Sequence, residues 1–341
     1  MRKIITPLAL LLSALSLTVT FPALARQSAP SAAQEQILPP CSTDVRPDDG
    51  QPSPPSCASP DDTEPPAPPS LPETKSGPAL WKVADDDTTI YLFGTIHILP
   101  QETEWYGEAL ADAFKSADTL VTEVDMEEAR GANVQELIMA KGVLPEGQTL
   151  HGLLDENQRS QYDAAMQKLG LPLNMFDSYE PWYAAMVLST LPLLKEGYSV
   201  DKGVETTLSA SAADGLARDH LETLDAQLSM FDELPMENQI SYLMDVVGSA
   251  DEIKPTIDAM VKEWLEGDAE ALADLLNAQM TDPVLTEQLL LRRNRNWASW
   301  IQKRLDMPGT VFVAVGAGHL AGGGSVQEEL EERGLDVIRV Q

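Results

Sequence analysis

The stretch TVFVAVGAGHL, residues 310–320, decides the fold of this chain. Its first six residues are apolar or β-branched, which is typical of a buried strand. Gly316 ends the run and His319 follows three residues later. Glycine lets a chain turn away from a sheet without strain at a Cβ atom. The pattern therefore predicts a strand that presents a histidine at its carboxyl end.

The same pattern occurs near the start of the folded region, in the stretch TIYLFGTIH at residues 89–97. Here Gly94 ends the apolar run and His97 follows it. Sites in α/β proteins form at the carboxyl ends of strands, so two neighbouring strands of this kind would direct both imidazoles into one crevice. The alternative is a pair of histidines that merely cap strand–helix turns.

Runs of β type at both ends of residues 79–341 enclose a long helical middle. This arrangement predicts an α/β (α+β) fold, in which a central mixed sheet takes its N- and C-terminal strands from the two ends and the helical segment forms a cap. The predicted strands are 79–84, 89–93, 119–124, 215–221, 310–315 and 336–340. The predicted helices are 104–115, 127–141, 155–169, 181–194, 204–213, 225–233, 236–266, 268–279, 283–305 and 325–333.

Residues 1–25 have the pattern of a secretory signal peptide. Arg2 and Lys3 precede an uncharged apolar stretch, and Ala23-Leu24-Ala25 supplies a small-x-small cleavage site. We expect a periplasmic or secreted protein with no stable membrane anchor after cleavage. The alternative is a single uncleaved anchor.

Residues 26–78 contain more than half of the 25 prolines and little apolar sequence. Such a composition predicts a disordered linker. Both cysteines, Cys41 and Cys57, fall inside it. They could close a disulfide in an oxidising compartment or have no role, and either way we do not expect them to belong to an active site.

The charge balance excludes several classes of partner. Acidic residues number 54 against 23 basic ones, which gives a formal charge of −31. A nucleic-acid binder needs a basic face, and so does a protein that docks on anionic lipid. With two cysteines the chain is neither a disulfide-stapled mini-protein nor a cysteine-rich zinc module.

Glu123 ends the apolar strand 119–124, where a lone carboxylate is costly unless it is paired or bound to a metal. Together with His97 and His319 it makes a common ligand set for a divalent ion that keeps positions open for water. Such an ion lowers the pKa of its water and polarises a carbonyl.

Arg293 lies on an apolar helical stripe with Leu285, Leu289 and Trp297. A buried arginine there is either a clamp for an oxyanion or substrate carboxylate, or one member of a buried ion pair. The candidate partners are the carboxylates of Glu123, Glu205 and Glu222.

Glu222 follows the predicted strand 215–221 and has three interpretations. It could orient a histidine, act as a general base, or lie beside the N-cap of the next helix.

Taken together, these segments resemble the TraB/GumN family, which is related to the Tiki metalloproteases and more distantly to the erythromycin-esterase/ChaN-like superfamily. The resemblance covers about residues 79–341. It is carried by LFGTIH at 92–97, Glu123, LETLDAQL at 221–228, Arg293-Asn294 with Trp297, VGAGHLAG at 315–322 and GLDVIRV at 334–340.

The resemblance implies that His97, Glu123 and His319 are the metal ligands and that the activity is metal-dependent cleavage of peptide bonds. The Tiki branch implicates manganese or cobalt, and zinc is a further candidate. The family often carries Gly-hydrophobic-Asp where this chain has Gly203-Val204-Glu205, which leaves the role of that acid open between Glu205 and Asp201.

We therefore expect an exported metal-dependent hydrolase, or metallopeptidase, that acts on a peptide or protein through a metal-activated water. His97, Glu123 and His319 would hold the ion, and Glu123, Arg293 and Glu222 would be the catalytic residues. The alternative is a periplasmic binding protein that sequesters a peptide, haem or iron without chemistry. The sequence leaves the oligomeric state undetermined.

Overall fold

A computed structural model of the chain describes residues 73–74, 77–131, 133–278 and 282–341. The predicted signal peptide (1–25), most of the predicted linker (26–78) and the cysteines Cys41 and Cys57 lie outside these residues. Export and the disulfide therefore stay predictions.

A six-stranded sheet forms the centre of the fold. Its strands are β1 (Leu80–Ala84), β2 (Thr88–Thr95), β3 (Thr119–Thr122), β4 (Ala217–His220), β5 (Gly309–Gly316) and β6 (Val337–Arg339). The order across the sheet is β6-β1-β2-β5-β3-β4. Strands β2, β5, β3 and β4 are parallel, while β1 runs antiparallel to both β2 and β6. Each strand overlaps a predicted β-type run, and the mixed α/β fold is confirmed.

Helices make up most of the described residues outside this sheet. They are α1 (Glu108–Ser116), α2 (Asn133–Lys141), α3 (Leu150–Leu153), α4 (Glu156–Leu169), α5 (Pro181–Lys195), α6 (Val204–Ser211), α7 (Leu224–Asp232), α8 (Met236–Gly248), α9 (Ile253–Glu266), α10 (Ala269–Asn277), α11 (Pro283–Thr286), α12 (Arg292–Arg304) and α13 (Val326–Glu332).

Three predicted helices differ from the structure. The helix predicted over 127–141 is a short 3₁₀ helix at Glu128–Arg130 followed by α2. The single helix predicted over 236–266 is two helices, because α8 ends at Gly248 and α9 begins only at Ile253. Glycine and serine are poor residues for a helix interior, and the Ser249 hydroxyl donates to the carbonyl of Asp245, which helps to end α8. In the helix predicted over 283–305, a π-helical turn at Glu287–Leu291 separates α11 from α12.

The two faces of the sheet are covered by different side chains. On one face, aliphatic residues such as Val121 and Val313 pack with Trp297 and Ile301 of α12. On the other face Phe93 and Phe312 pack against each other and against Trp105, Phe114 and Trp264. Because both faces are covered, polar groups at this sheet gather at the strand ends.

The helical middle packs largely on itself. Helix α5 is mostly buried, as its apolar sequence predicts, and it contacts α8 and α9. Within the described residues, no helix combines the length and the apolar character needed to cross a membrane.

Candidate active centre at the strand ends

Four parallel strands bring the predicted site residues to one edge of the sheet. His97 follows β2, Glu123 follows β3, Glu222 follows β4, and His319 follows β5 in a 3₁₀ turn, Ala317–Leu320. Thr95 at the end of β2 pairs with Gly316 at the end of β5, so the two glycine–histidine segments are direct neighbours. The structure thus brings these four residues to the same edge, and α12 adds Arg293.

Arg293 joins the carboxylates to one imidazole. Its Nε lies 3.0 Å from both carboxylate oxygens of Glu222, and its Nη2 donates to Glu123 Oε2 at 2.5 Å. Its Nη1 donates to the carbonyl of Leu289 at 3.2 Å and faces His319 Nε2 at 2.9 Å. All three nitrogens of the guanidinium are engaged. The arginine therefore takes the buried ion-pair position, with Glu123 and Glu222 as partners and not Glu205.

His319 is fully buried, and the groups around it define its tautomer. Its Nδ1 lies 2.5 Å from Asn294 Oδ1, an atom that can only accept, so Nδ1 carries the hydrogen. Its Nε2 therefore presents a lone pair to Arg293. Burial lowers the pKa of His319 well below its ordinary value, and the positive charges of Arg293 and His97 lower it further. His319 is thus a neutral acceptor.

Glu123 is buried with both carboxylate oxygens occupied. Oε1 accepts a hydrogen bond of 2.7 Å from the backbone N–H of Gly316. Oε2 accepts from Gln227 Nε2 at 3.0 Å as well as from Arg293. The amide of Gln227 also donates to Glu222 at 3.1 Å, so it links the two carboxylates. Gln227 belongs to the block at residues 221–228, but no sequence pattern there indicates this contact.

His97 has a different partner, Glu205, which the sequence left undecided against Asp201. Its Nδ1 lies 2.5 Å from Glu205 Oε1, which also accepts a hydrogen bond from the hydroxyl of Thr95. Glu205 is 2 % exposed, whereas Asp201 lies at the surface. Both ring nitrogens of His97 are buried. Nδ1 contacts Glu205 at ion-pair distance without hydrogen-bond geometry, whereas Nε2 has no partner among the described residues, and Glu205 Oε2 has no hydrogen-bond partner there either.

The His97–Glu205 contact sets the charges of both groups. Burial by itself lowers the pKa of His97, but the negative charge of Glu205 in direct contact outweighs burial and raises that pKa to about 9. Burial alone would raise the pKa of Glu205, yet His97 and Thr95 hold it below its ordinary value. At neutral pH the pair is therefore an imidazolium beside a carboxylate.

Close backbone packing places Glu205 beside His97. The N–H of Val204 donates to the carbonyl of Ile96 at 3.0 Å, which ties the start of α6 to the segment after β2. A Cβ atom on Gly203 would lie 2.2 Å from the carbonyl oxygen of His97. Only glycine leaves room for this approach. In the segment Gly203-Val204-Glu205, the glycine therefore allows the close packing and Glu205 supplies the carboxylate.

The other two histidines lie apart from this centre. His151 in α3 contacts Asp163 at 2.8 Å and Asp177 at 2.5 Å, which ties α3 and α4 to the following loop. His220 ends β4 and lines an open cleft of about 200 Å³. Thr122, Ser209 and Arg218 line the cleft too. Thr122 immediately precedes Glu123, Ser209 follows Glu205 by one turn of α6, and Arg218 lies on β4.

The predicted metal ligands can be tested against these contacts. Glu123, His97 and His319 are the right donor types, and His97 Nε2 is an orphaned atom. However, Arg293 and Asn294 take both nitrogens of His319, and three donors occupy the oxygens of Glu123. Across the described ranges, no three His, Cys, Asp or Glu side chains are grouped to hold an ion. As arranged, the predicted set does not fit a metal, and the metal stays a prediction from sequence.

Comparison with known proteins gives a family and several relatives. The sequence profile of the TraB/PrgY/gumN family matches residues 79–339. An uncharacterised protein of Treponema pallidum (strain Nichols) is 24% identical over 270 residues, covering 75% of this chain and 81% of that protein. The uncharacterised protein YbaP of Escherichia coli (strain K12) is 24% identical over 254 residues, covering 74% of this chain and 92% of YbaP. No solved structure gives a significant match.

Proposed function

This chain belongs to the TraB/PrgY/gumN family, and from that membership together with its buried centre we propose that it is a hydrolase whose proton-transferring residue is His97. The single observation that carries the proposal is the environment of the His97 imidazole. Glu205 orients and charges it through Nδ1, while Nε2 is buried and without a partner among the described residues. A buried polar atom without a partner is costly, and such groups gather at functional sites.

The chemistry follows from the charge of the pair. With a pKa of about 9, His97 carries a proton on Nε2 at neutral pH and can give it to the leaving group of the scissile bond. Hydrolysis adds one water, so the proton lost by the attacking water returns to the imidazole. Glu205 stays ionised throughout and stabilises the positive form of His97, as an orienting carboxylate does in other hydrolases.

The substrate class and the location are proposals of the same kind. The resemblance implies a peptide or protein substrate, and the open cleft lined by Thr122 and His220 lies next to a residue that adjoins Glu123 in sequence. Export requires the predicted signal peptide. Metal dependence stays a prediction, and no step of the mechanism above uses an ion.

A peptide library incubated with the purified full chain tests the proposal. Parallel samples contain a chelator or added manganese, cobalt or zinc. We expect cleavage by the wild type, a loss of at least about 100-fold in His97→Gln, as is typical for a general acid or base, and little change in His151→Gln. His151 is the matched control because it lies outside the centre, and circular dichroism checks that both variants are folded.

Two results would contradict the proposal. One is full activity in a folded His97→Gln variant. The other is binding of a peptide or haem with no turnover under any metal condition, which would favour the non-catalytic alternative.

A further inference from the structure

The guanidinium of Arg293 contacts two of the three predicted metal ligands, Glu123 and His319, and also Glu222. It contacts Glu123 Oε2 and Glu222 Oε2, at 2.5 and 2.9 Å, and His319 Nε2 at 2.9 Å. These are two carboxylate oxygens and one imidazole lone pair, which is a donor set that divalent transition metals prefer. The positively charged guanidinium of Arg293 already lies among these three atoms.

Several contacts fix Arg293 in this position. Its side chain is 5% exposed, and its Nη1 also donates to the carbonyl of Leu289. The ring of Trp297 lies 4.6 Å below the guanidinium carbon and packs on His319 with a centroid distance of 4.3 Å. A cation over an aromatic face is stabilised, and the indole N–H donates to Glu222 at 3.1 Å.

A metal and Arg293 cannot share His319. The imidazole has one lone pair on Nε2, which faces Arg293, and its Nδ1–H is committed to Asn294. Binding an ion would therefore require the arginine to leave two buried carboxylates. Breaking a buried ion pair leaves an uncompensated charge in the interior, which is strongly unfavourable.

We propose that Arg293 is the resident cation of this centre, so that the folded chain takes up no divalent ion at Glu123 and His319 while the arginine is present. The guanidinium neutralises the two carboxylates and faces the lone pair of His319. A bound metal ion would compensate the same negative charges. The inference concerns the resting state of the centre and does not depend on whether the centre hydrolyses a substrate.

Metal uptake by the purified full chain tests this assignment. The chain, with Cys41→Ser and Cys57→Ser to remove thiol ligands, is mixed with cobalt or zinc, passed through a desalting column and analysed for bound metal. We expect no retained ion that depends on Glu123 or His319. We expect Arg293→Gln to retain about one ion per chain, which Arg293→Gln combined with His319→Ala loses again.

Arg295→Gln is the matched control, because Arg295 lies on the same helix but pairs with Glu287 at the surface. It should behave as the wild type does. A wild-type chain that retains an ion, and loses it in Glu123→Gln or His319→Ala, would overturn the proposal. A folded Arg293→Gln variant that retains none would also overturn it.

A second measurement covers the case in which Arg293→Gln does not fold. Nitrogen NMR of His319 in the wild type should show a protonated Nδ1 and a bare Nε2, unchanged when zinc is added. A shift of the Nε2 resonance on addition of zinc would contradict the assignment.

Discussion

At the scale of single residues, the centre contains two histidines with opposite roles. His97 is positive because Glu205 contacts it, and His319 is neutral because it is buried and because Arg293 and His97 lie near it. Each is the histidine of a Gly-x-x-His segment, so the local sequence does not distinguish the two residues. The difference arises from α6 and α12, which supply a carboxylate to one imidazole and a guanidinium to the other.

The first prediction concerns Glu205→Gln. The substitution removes the charge that raises the pKa of His97 and leaves burial, which lowers it, so the pKa should fall from about 9 to below its ordinary value of 6.5. Burial acts on His97 in both proteins, so only the contribution of the opposite charge changes. An NMR titration of the His97 ring measures it. Asp163→Asn, which touches His151 instead, should leave His97 unchanged, and an unshifted pKa in Glu205→Gln would contradict the role of that acid.

The second prediction concerns stability against pH. The pKa of His97 is raised on folding, from 6.5 to about 9, so its contribution to stability is complete below about pH 6.5 and is lost as the pH rises through 9. At 1.36 kcal/mol per pKa unit the loss is on the order of 3 kcal/mol. Urea unfolding at pH 6 and pH 9.5 should show this fall in the wild type. The His97→Gln variant should lose less of its free energy of unfolding between the two pH values, because it has no imidazole to titrate. An equal loss in the two proteins would refute the linkage.

Much of the centre could be predicted from residues close in sequence. The strand-end positions of His97, Glu123 and His319 follow from hydrophobic runs that end in glycine or in a charge. The burial of Arg293 follows from its helical stripe. The partner of His97 could not be predicted, because Glu205 lies more than 100 residues away and only the docking of α6 brings the two together.

At the scale of elements, a π-helical turn keeps the stripe of Arg293 in line. Leu285, Leu289, Arg293 and Trp297 are spaced by four residues and all are buried. In a regular α-helix a spacing of four rotates about 40° past a full turn at each step, so such a stripe drifts around the helix. The wider turn at Glu287–Leu291 takes up part of that drift. The periodicity thus identified the buried face, but it gave no sign of the irregular turn.

The third prediction concerns the junction between α6 and β2. Gly203→Ala places a Cβ atom 2.2 Å from the carbonyl oxygen of His97, a contact that backbone shifts must relieve. Overpacking of this kind destabilises by about 1–3 kcal/mol or more, and the shift should also move Glu205 away from His97. Urea unfolding measures the first effect, and the pKa of His97 reports the second.

Gly248→Ala is the matched control for this substitution. A Cβ atom there meets no other atom within 4 Å, and the residue ends helix α8. Alanine favours helix over glycine by up to about 1 kcal/mol, so the variant should be as stable as the wild type or slightly more stable. Equal destabilisation by both substitutions would show that the contact with His97 has no special weight.

At the scale of the whole molecule, the alternation of strands and helices was predictable because both faces of the sheet are buried. A strand such as β5 is then a continuous apolar run with a clear end. The edge strand β4 is mostly exposed and polar, and its prediction depended on turn signals and extended beyond both of its ends. The break between α8 and α9 was missed because helical periodicity continues across it.

The fourth prediction concerns the boundary of the folded domain. The last residues of the chain bond to the first residues of the sheet, since Gln341 Nε2 donates to the carbonyl of Pro78 at 2.8 Å and Val340 N–H donates to Leu80 at 2.8 Å. A chain that begins at residue 73 retains these contacts, and its thermal midpoint should match that of the full chain to within about 1 °C.

A chain that ends at residue 336 loses β6, which leaves the hydrogen-bonding edge of β1 unpaired. It also loses the contact of Arg339 with Gly267. Its midpoint should fall by several degrees, since about 1 kcal/mol shifts a domain of this size by roughly 2–4 °C. Calorimetry of the two shortened chains decides the matter: a large loss on removing residues 1–72 would mean that the folded domain extends further toward the N-terminus than the sequence predicts.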